Sequence, residues 1–403
     1  MADLLGFTAI LIVSLITLII ALRWPAISNI LIVALIVRVL LLLVGHYITP
    51  LPGGNFDAEY FERKAWEMGQ EGFSSVLSNF SFHPLRFFSS IHAIPYSLFG
   101  RSILMGQSIS LLFGMGTVFF GWKLANILWD NRVANKVGWS IALFPSLILY
   151  SVLFLREVYV SFFLLIAIYG AVSWVKNNNY KSLTLSFVGF MMATLFHGSM
   201  FVGALVFLII LISSYSKILL NSLMDLKINF RILRIFLIFV FILGFYVSNK
   251  ISIPYIGDFK KSINMQSLIT RTNVYAQGGA AWPEWTKINS EIELVYKAPI
   301  RSIYFLFSPF PWDIKKYEHF IGLMDSFLYM YLVFLILCNF KVIWKDPALK
   351  AILIILLSYV FVFGFGVGNF GTALRHKTKF TFMFILLAAP LIKRIIFLKN
   401  NKI

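Results

Sequence analysis

The sequence predicts an all-α polytopic membrane protein: a single transmembrane domain over residues 1–403, with about 11 membrane-crossing helices and two large external loops. Three observations carry this. Of the 403 residues, 59% are apolar and only 13% charged, whereas soluble domains are about 45–50% apolar and about 25% charged. Stretches such as 4–22, 30–44 and 349–365 are nearly free of charge and long enough to cross a bilayer. The basic residues are not scattered but collect in alternate connecting segments, as cytoplasmic loops do. The one cysteine, Cys338, excludes a disulfide framework and a thiolate metal cluster.

In chain order the apolar runs place crossings at 4–22, 29–48, 102–120, 137–155, 158–175, 183–196, 199–213, 235–249, 321–340, 349–367 and 378–393. The uninterrupted run 183–213 reads as one overlong helix or two short ones, and charge decides between them. As a hairpin turning at His197-Gly198, it leaves Arg23, the segments 123–136, 176–181, 217–234 and 341–350, and the tail 393–402 on one side. These hold 17 Lys and Arg against three acids. That side is cytoplasmic and carries the C-terminus, with the N-terminus outside. The net charge of +18 is then a topology signal with added attraction to anionic membrane lipids, not a nucleic-acid footprint; the basic stretches lack interleaved stacking aromatics.

The external side receives 49–101, 250–320 and the short turn 368–377, together with most of the acids. The first loop contains Gly53-Gly54-Asn55-Phe56-Asp57-Ala58-Glu59-Tyr60-Phe61. Two carboxylates one residue apart beside a membrane span can supply a general base, or together hold a divalent cation such as Mg or Mn. Tyr60, Phe61, Ala65 and Met68 have the spacing of a helix lying apolar face down on the membrane. A solvated amphipathic helix whose charges do no chemistry fits the same pattern.

Cations on the external side run against the positive-inside trend. Arg156 stands at a helix end beside Glu157, and Arg375, His376 and Lys377, with Lys379, crowd the expected start of the last helix. A helix N-terminus there would add backbone donors for a phosphate; snorkelling toward headgroups is the alternative. Arg38 is mid-span, so it must face the bundle interior, in an ion pair or a ligand cavity. His83, His92 and His197 match no metal-ligand spacing, and backbone hydrogen bonding at the interface is their expected role, while His46 is read as interfacial and not catalytic. His197 stands out among the histidines because a polar residue in a membrane hairpin needs a reason to be there. In the second loop, the stretch from Arg271 through Trp282 combines a cation, amides, glycines and aromatics, a composition suited to a saccharide or to an interfacial anchor. Walker, Rossmann, nucleophile-elbow and His-Glu-x-x-His patterns do not occur.

Asp57-Ala58-Glu59-Tyr60 in an early external loop resembles the GT-C membrane glycosyltransferases, which include protein mannosyltransferases and lipid A aminoarabinose transferases. Pro95-Tyr96-Ser97-Leu98-Phe99-Gly100, Gln107-Ser108, Phe113-Gly114, Ala142-Leu143-Phe144-Pro145-Ser146 and Leu155-Arg156-Glu157 extend the likeness over about 50–175. Pro309-Phe310-Pro311-Trp312 and Arg375-His376-Lys377 are compatible with it. Two helices instead of one precede the acidic loop, and no large C-terminal external domain follows.

The resemblance implies a GT-C-like fold and transfer of a sugar, or of an oligosaccharide repeat unit as in an O-antigen-type polymerase. The donor would be linked to polyprenyl phosphate or diphosphate, the acceptor a glycan or glycolipid, and the setting the outer face of a bacterial inner membrane. It implies Asp57 as catalytic base, with Glu59 as second candidate. Arg156, Arg375, His376 and Lys377 are then expected to bind the donor phosphate, with Arg38, Glu157, His197 and Arg271 as further candidates. A transporter or flippase for lipid-linked saccharides is the rival reading, kept open by Arg38.

Overall fold

The computed structural model describes residues 2–177, 179–224, 269–270, 273, 279–314 and 319–392. The expected crossing at 235–249 lies outside them. Among the described residues the chain is helical, and the only β-pairing is an isolated bridge between Ala281 and Asn369. Among the described residues five helices are long and apolar enough to cross a membrane: α1 (Ala2–Arg23), α2 (Ser28–Tyr47, extended by one turn from Pro25), α6 (Ile103–Leu128), α9 (Glu157–Asn177) and α15 (Pro347–Gly366). The protein is a helical membrane protein.

Outer and inner helices differ as their sequences require. In α1, Leu4, Leu11, Leu15, Leu18, Ile19 and Leu22 are exposed, a face apolar enough to lie against lipid. Its hydroxyls bond within the helix, Thr8 to the Leu4 carbonyl and Thr17 to that of Val13, both at 2.8 Å. Helix α9 is buried around its circumference, as a helix apolar on all sides should be. Against it lies α10 (Tyr180–Phe196), brought close by Gly170 and Gly189. A Cβ on Gly189 would stand 2.5 Å from the Ala167 nitrogen, so neither glycine tolerates a larger residue without the helices moving apart.

The run 183–213 is divided at His197. Helix α10 stops at Phe196, His197 is extended, and α11 (Phe201–Met224) follows a short 3-10 turn. The run 137–155 is not one crossing. Helix α7 (Asn131–Leu143), capped by Asp130 accepting from the Val133 amide at 2.8 Å, ends before Pro145. Proline drives the preceding residue out of the helical region, and Phe144 is extended. Helix α8 (Pro145–Tyr150) is a short continuation, after which 151–156 is non-helical and wholly buried. Irregular backbone at such depth is tolerated where protein surrounds it.

The first expected loop folds as α3 (Asp57–Gln70), α4 (Phe73–Ser78) and α5 (Pro84–Phe99). Of the residues expected to lie on the membrane, Phe61 and Ala65 of helix α3 pack against protein instead. Ala58, Phe61, Glu62, Ala65 and Gly69 form its buried face, packed on α5, and Tyr60 is exposed. The i, i+3, i+4, i+7 spacing was present, but protein occupies the place assigned to lipid. His92, expected at the interface, is fully buried on α5. Its Nδ1 donates to the Phe88 carbonyl and its Nε2 accepts from the Tyr159 hydroxyl, both at 2.9 Å.

Burial pushes the His92 imidazole down to about 4 from its ordinary 6.5. The folded protein keeps it neutral while an unfolded chain takes a proton below pH 6.5, so stability falls as pH drops through that window. The whole gap corresponds to about 3 kcal/mol. Thermal melts at pH 7 and pH 4.5 should show a smaller loss for His92→Gln than for the wild type; equal losses would reject the assignment.

The second expected loop contains α12 (Glu291–Phe307), packed on α15. Arg301 of α12 is fully buried over the Trp282 ring and donates to the carbonyls of Thr286 (2.9 Å), Phe365 (3.1 Å) and Val367 (2.5 Å), capping the end of α15. Helices α13 (His319–Cys338), α14 (Phe340–Lys345), α16 (Phe370–Thr378) and α17 (Thr381–Ala388) complete the described set. At one end of the bundle Lys176 donates to the Ile127 carbonyl at 2.6 Å, Lys136 to that of Pro390 at 3.2 Å, and Lys123 lies over Trp24. The acidic first loop lies at the other end.

Candidate functional site

Three separate pieces of chain meet at that second end. The buried irregular stretch 151–156 delivers Arg156 and Glu157 to the start of α9, and a turn with Gly53 in the left-handed region brings Asp57 to the first position of α3. Helix α16 delivers Arg375, His376 and, at its C-cap, Lys379. Its N-cap Asn369 accepts from the Thr372 amide at 2.7 Å. The preceding backbone pairs with the second loop, through the Trp282 amide on the Gly368 carbonyl (2.9 Å) and the Phe370 amide on the Ala280 carbonyl (3.0 Å).

Arg375 joins the pieces. Its Nε donates to Glu157 Oε1 at 2.6 Å, and its Nη1 is hydrogen-bonded to Asp57 Oδ2. Glu157 is 1% exposed, Arg375 20% and Asp57 58%, so the chain of charges runs from the interior to the surface. Lys379 approaches the same Glu157 oxygen at 3.9 Å and donates to His376 Nδ1 at 2.5 Å. The other Glu157 oxygen is buried and has no hydrogen-bond partner among the described residues. Arg156 lies over the Phe61 ring and donates to the Pro84 carbonyl at 3.4 Å. His197 and His376 place their ring centres 5.2 Å apart, both against Phe363.

Burial would lower the Arg375 pKa, but Glu157 and Asp57 outweigh it and hold the guanidinium above its ordinary range. His376 is pushed well below the usual histidine value, first by burial and then by Lys379, Arg375 and Arg156. His197 is lowered likewise, by burial and then by the same cations with His376. Both imidazoles are therefore neutral at pH 7, Lys379 is itself held well below the usual lysine range by burial against the pull of Glu157, and the guanidiniums of Arg156 and Arg375 face two carboxylates. The guanidinium N–H donors not used by these carboxylates, partly withdrawn from water, suit an anion.

The expected helix N-terminus behind Arg375 is not there. The cations occupy the last turn of α16, where they complement the negative end of the helix, and Phe380 interrupts the helix before α17. Lys377 also departs from the cluster. It is fully buried and donates to the carbonyls of Leu306 (3.0 Å) and Ser308 (3.4 Å) at the end of α12, over the Tyr329 ring.

Asp57 and Glu59 diverge. Asp57 is bound to Arg375, whereas Glu59 lines a separate cleft on the other side of α3. Among the described residues no three of His, Cys, Asp or Glu assemble as metal ligands. Arg38, 1% exposed, donates to the carbonyls of Ala142 (2.8 Å), Ile141 (3.3 Å) and Ala34 (3.3 Å). It neutralises the C-terminal end of α7, a role that neither the ion-pair nor the ligand reading named. Arg271 lies outside the described residues. Sequence reasoning overlooked Arg301 and the buried Asp325 on α13, although an acid inside an apolar helix was a readable signal. No family model, curated protein or solved structure matches the chain.

Proposed function

We propose that the protein is a membrane glycosyltransferase of the GT-C kind. It would transfer a sugar or repeat unit from a polyprenyl-phosphate-linked or polyprenyl-diphosphate-linked donor to a glycan or glycolipid, on the extracytoplasmic face of a bacterial inner membrane. The single observation that carries this reading is the Asp57–Arg375–Glu157 chain, assembled from three distant segments at the end of the bundle away from Lys123, Lys136 and Lys176.

In this reading the acceptor hydroxyl oxygen attacks the anomeric carbon as the bond from that carbon to the phosphate oxygen breaks. The departing phosphate keeps the electron pair, and Asp57 takes the hydroxyl proton, with inversion at the anomeric centre. Arg375 has five N–H donors and the two ion pairs engage two of them. The remainder, with Arg156 and Lys379, suit the charge that grows on the leaving group. The rival transporter reading rests on Arg38, whose Nη1 and Nη2 donate to carbonyls of the protein itself.

The test is reconstitution in nanodiscs with the lipid-linked saccharides extracted from the producing cell. Release of polyprenyl phosphate or diphosphate together with a lengthened glycan is the expected result. Movement of intact donor across a vesicle membrane, without bond cleavage, would replace the transferase by a flippase.

A further inference from the structure

A cleft of about 580 Å³ opens between the end of α2, the start of α3 and the start of α6. This is the size range of ligand sites, and the cleft is distinct from the Arg375 cluster. We infer that it binds a saccharide chain and presents it to Asp57 as acceptor. The acceptor role rests on the transferase reading; the binding itself does not.

The lining chemistry selects a neutral, hydroxyl-rich ligand. Arg101 grips Glu62 with two bonds, Nε to Oε1 at 2.9 Å and Nη2 to Oε2 at 2.7 Å, so these two charges cancel. Arg63 leans toward Glu67 at 3.9 Å, and among the described residues no ion pair reaches Glu59. The cleft therefore has no surplus of cations to draw a phosphate. What it offers instead are hydroxyl acceptors. Glu59 is exposed along its wall, and Gln107 lines it with an Oε1 that is buried and has no hydrogen-bond partner among the described residues. Tyr47, exposed at the rim, supplies aromatic surface for the apolar face of a sugar ring.

Helix α3 connects this cleft to the base. Asp57 and Glu59 stand two residues apart, about 3 Å along the helix axis, yet Asp57 bonds Arg375 while Glu59 lines the cleft. In this proposal a chain lying in the cleft extends past the first turn of α3 to reach Asp57, and the leaving phosphate sits on the far side of that carboxylate. Separation of a neutral polar groove from a cationic pocket keeps the two substrates from exchanging places.

The experiment uses the full-length protein in nanodiscs and, as probe, short uncharged oligosaccharides cut from the envelope polysaccharide of the producing cell and freed of lipid. Binding is read by saturation-transfer NMR. Binding to the wild type and to Asp57→Asn, weakened about tenfold or more in both Glu59→Gln and Gln107→Leu, is the expected result, with melting temperatures establishing that each variant folds. The inference is overturned if the wild type does not bind, or if both cleft variants bind as well as it does. It is equally overturned if those variants instead lose phosphatidylglycerol from vesicles, which would make the cleft a lipid site. Should Asp57→Asn keep full transfer while the cleft variants lose binding, the saccharide site stands and the assignment of Asp57 as base falls.

Discussion

Asp57→Asn should lower glycan transfer by about two to four orders of magnitude, the range supplied by a positioned general base, while the protein folds and melts like the wild type. The amide keeps the size of the carboxylate and can still accept from Arg375, so the local arrangement persists. Stability changes little because the Asp57 side chain is 58% exposed, and ion pairs open to water contribute about 0–1 kcal/mol. Loss of activity with unchanged melting is therefore the signature of chemistry at this atom. Transfer at the wild-type rate would remove Asp57 as base. Parallel loss from Glu59→Gln would point instead to the cleft, and comparing release of polyprenyl phosphate with glycan lengthening separates the two.

Arg375→Leu should do the opposite to stability. Glu157 is 1% exposed and its strongest partner is the Arg375 Nε at 2.6 Å, Lys379 being 3.9 Å away. Removing one member of a buried pair strands the other and costs about 3–5 kcal/mol. A thermal melt in detergent should show a marked drop for Arg375→Leu and a smaller one for Arg375→Lys, which keeps the charge but not the fork of donors. The double variant Arg375→Leu with Glu157→Leu should recover much of the loss, since no charge is left without a partner. If the double variant melts no higher than the single one, the stranded carboxylate is not the cause. In Arg375→Leu and in the double variant binding of the proposed donor should be lost, because the proposed anion site goes with the guanidinium.

Local signals in the sequence were legible where one dominated. The apolar runs 4–22, 29–48, 158–175 and 349–367 coincide with long helices, and the hairpin at His197 followed from charge placement alone. The run 137–155 misled because hydropathy does not register Pro145, and the break it causes is what places Arg156 and Glu157. The acidic and basic site residues were recognisable as charges out of place for the topology. Which of them meet was not, since Asp57, Glu157 and Arg375 lie in three segments joined only by tertiary packing. Neighbours in sequence also part company. Lys377 faces the end of α12 while Arg375, two residues earlier, faces Glu157, because residues two apart on a helix do not share a face.

Lys377 makes helix α16 a beam with two supports. Its first residue hangs from the Ala280 carbonyl and its last turn from those of Leu306 and Ser308, all in the second large segment, whereas the anion-facing guanidinium projects to the opposite side. A molecule that takes hold of that second segment and shifts it would tilt the beam and move Arg375 relative to Asp57 without touching either. Control of the proposed transfer would then reside some distance from the atoms proposed to react.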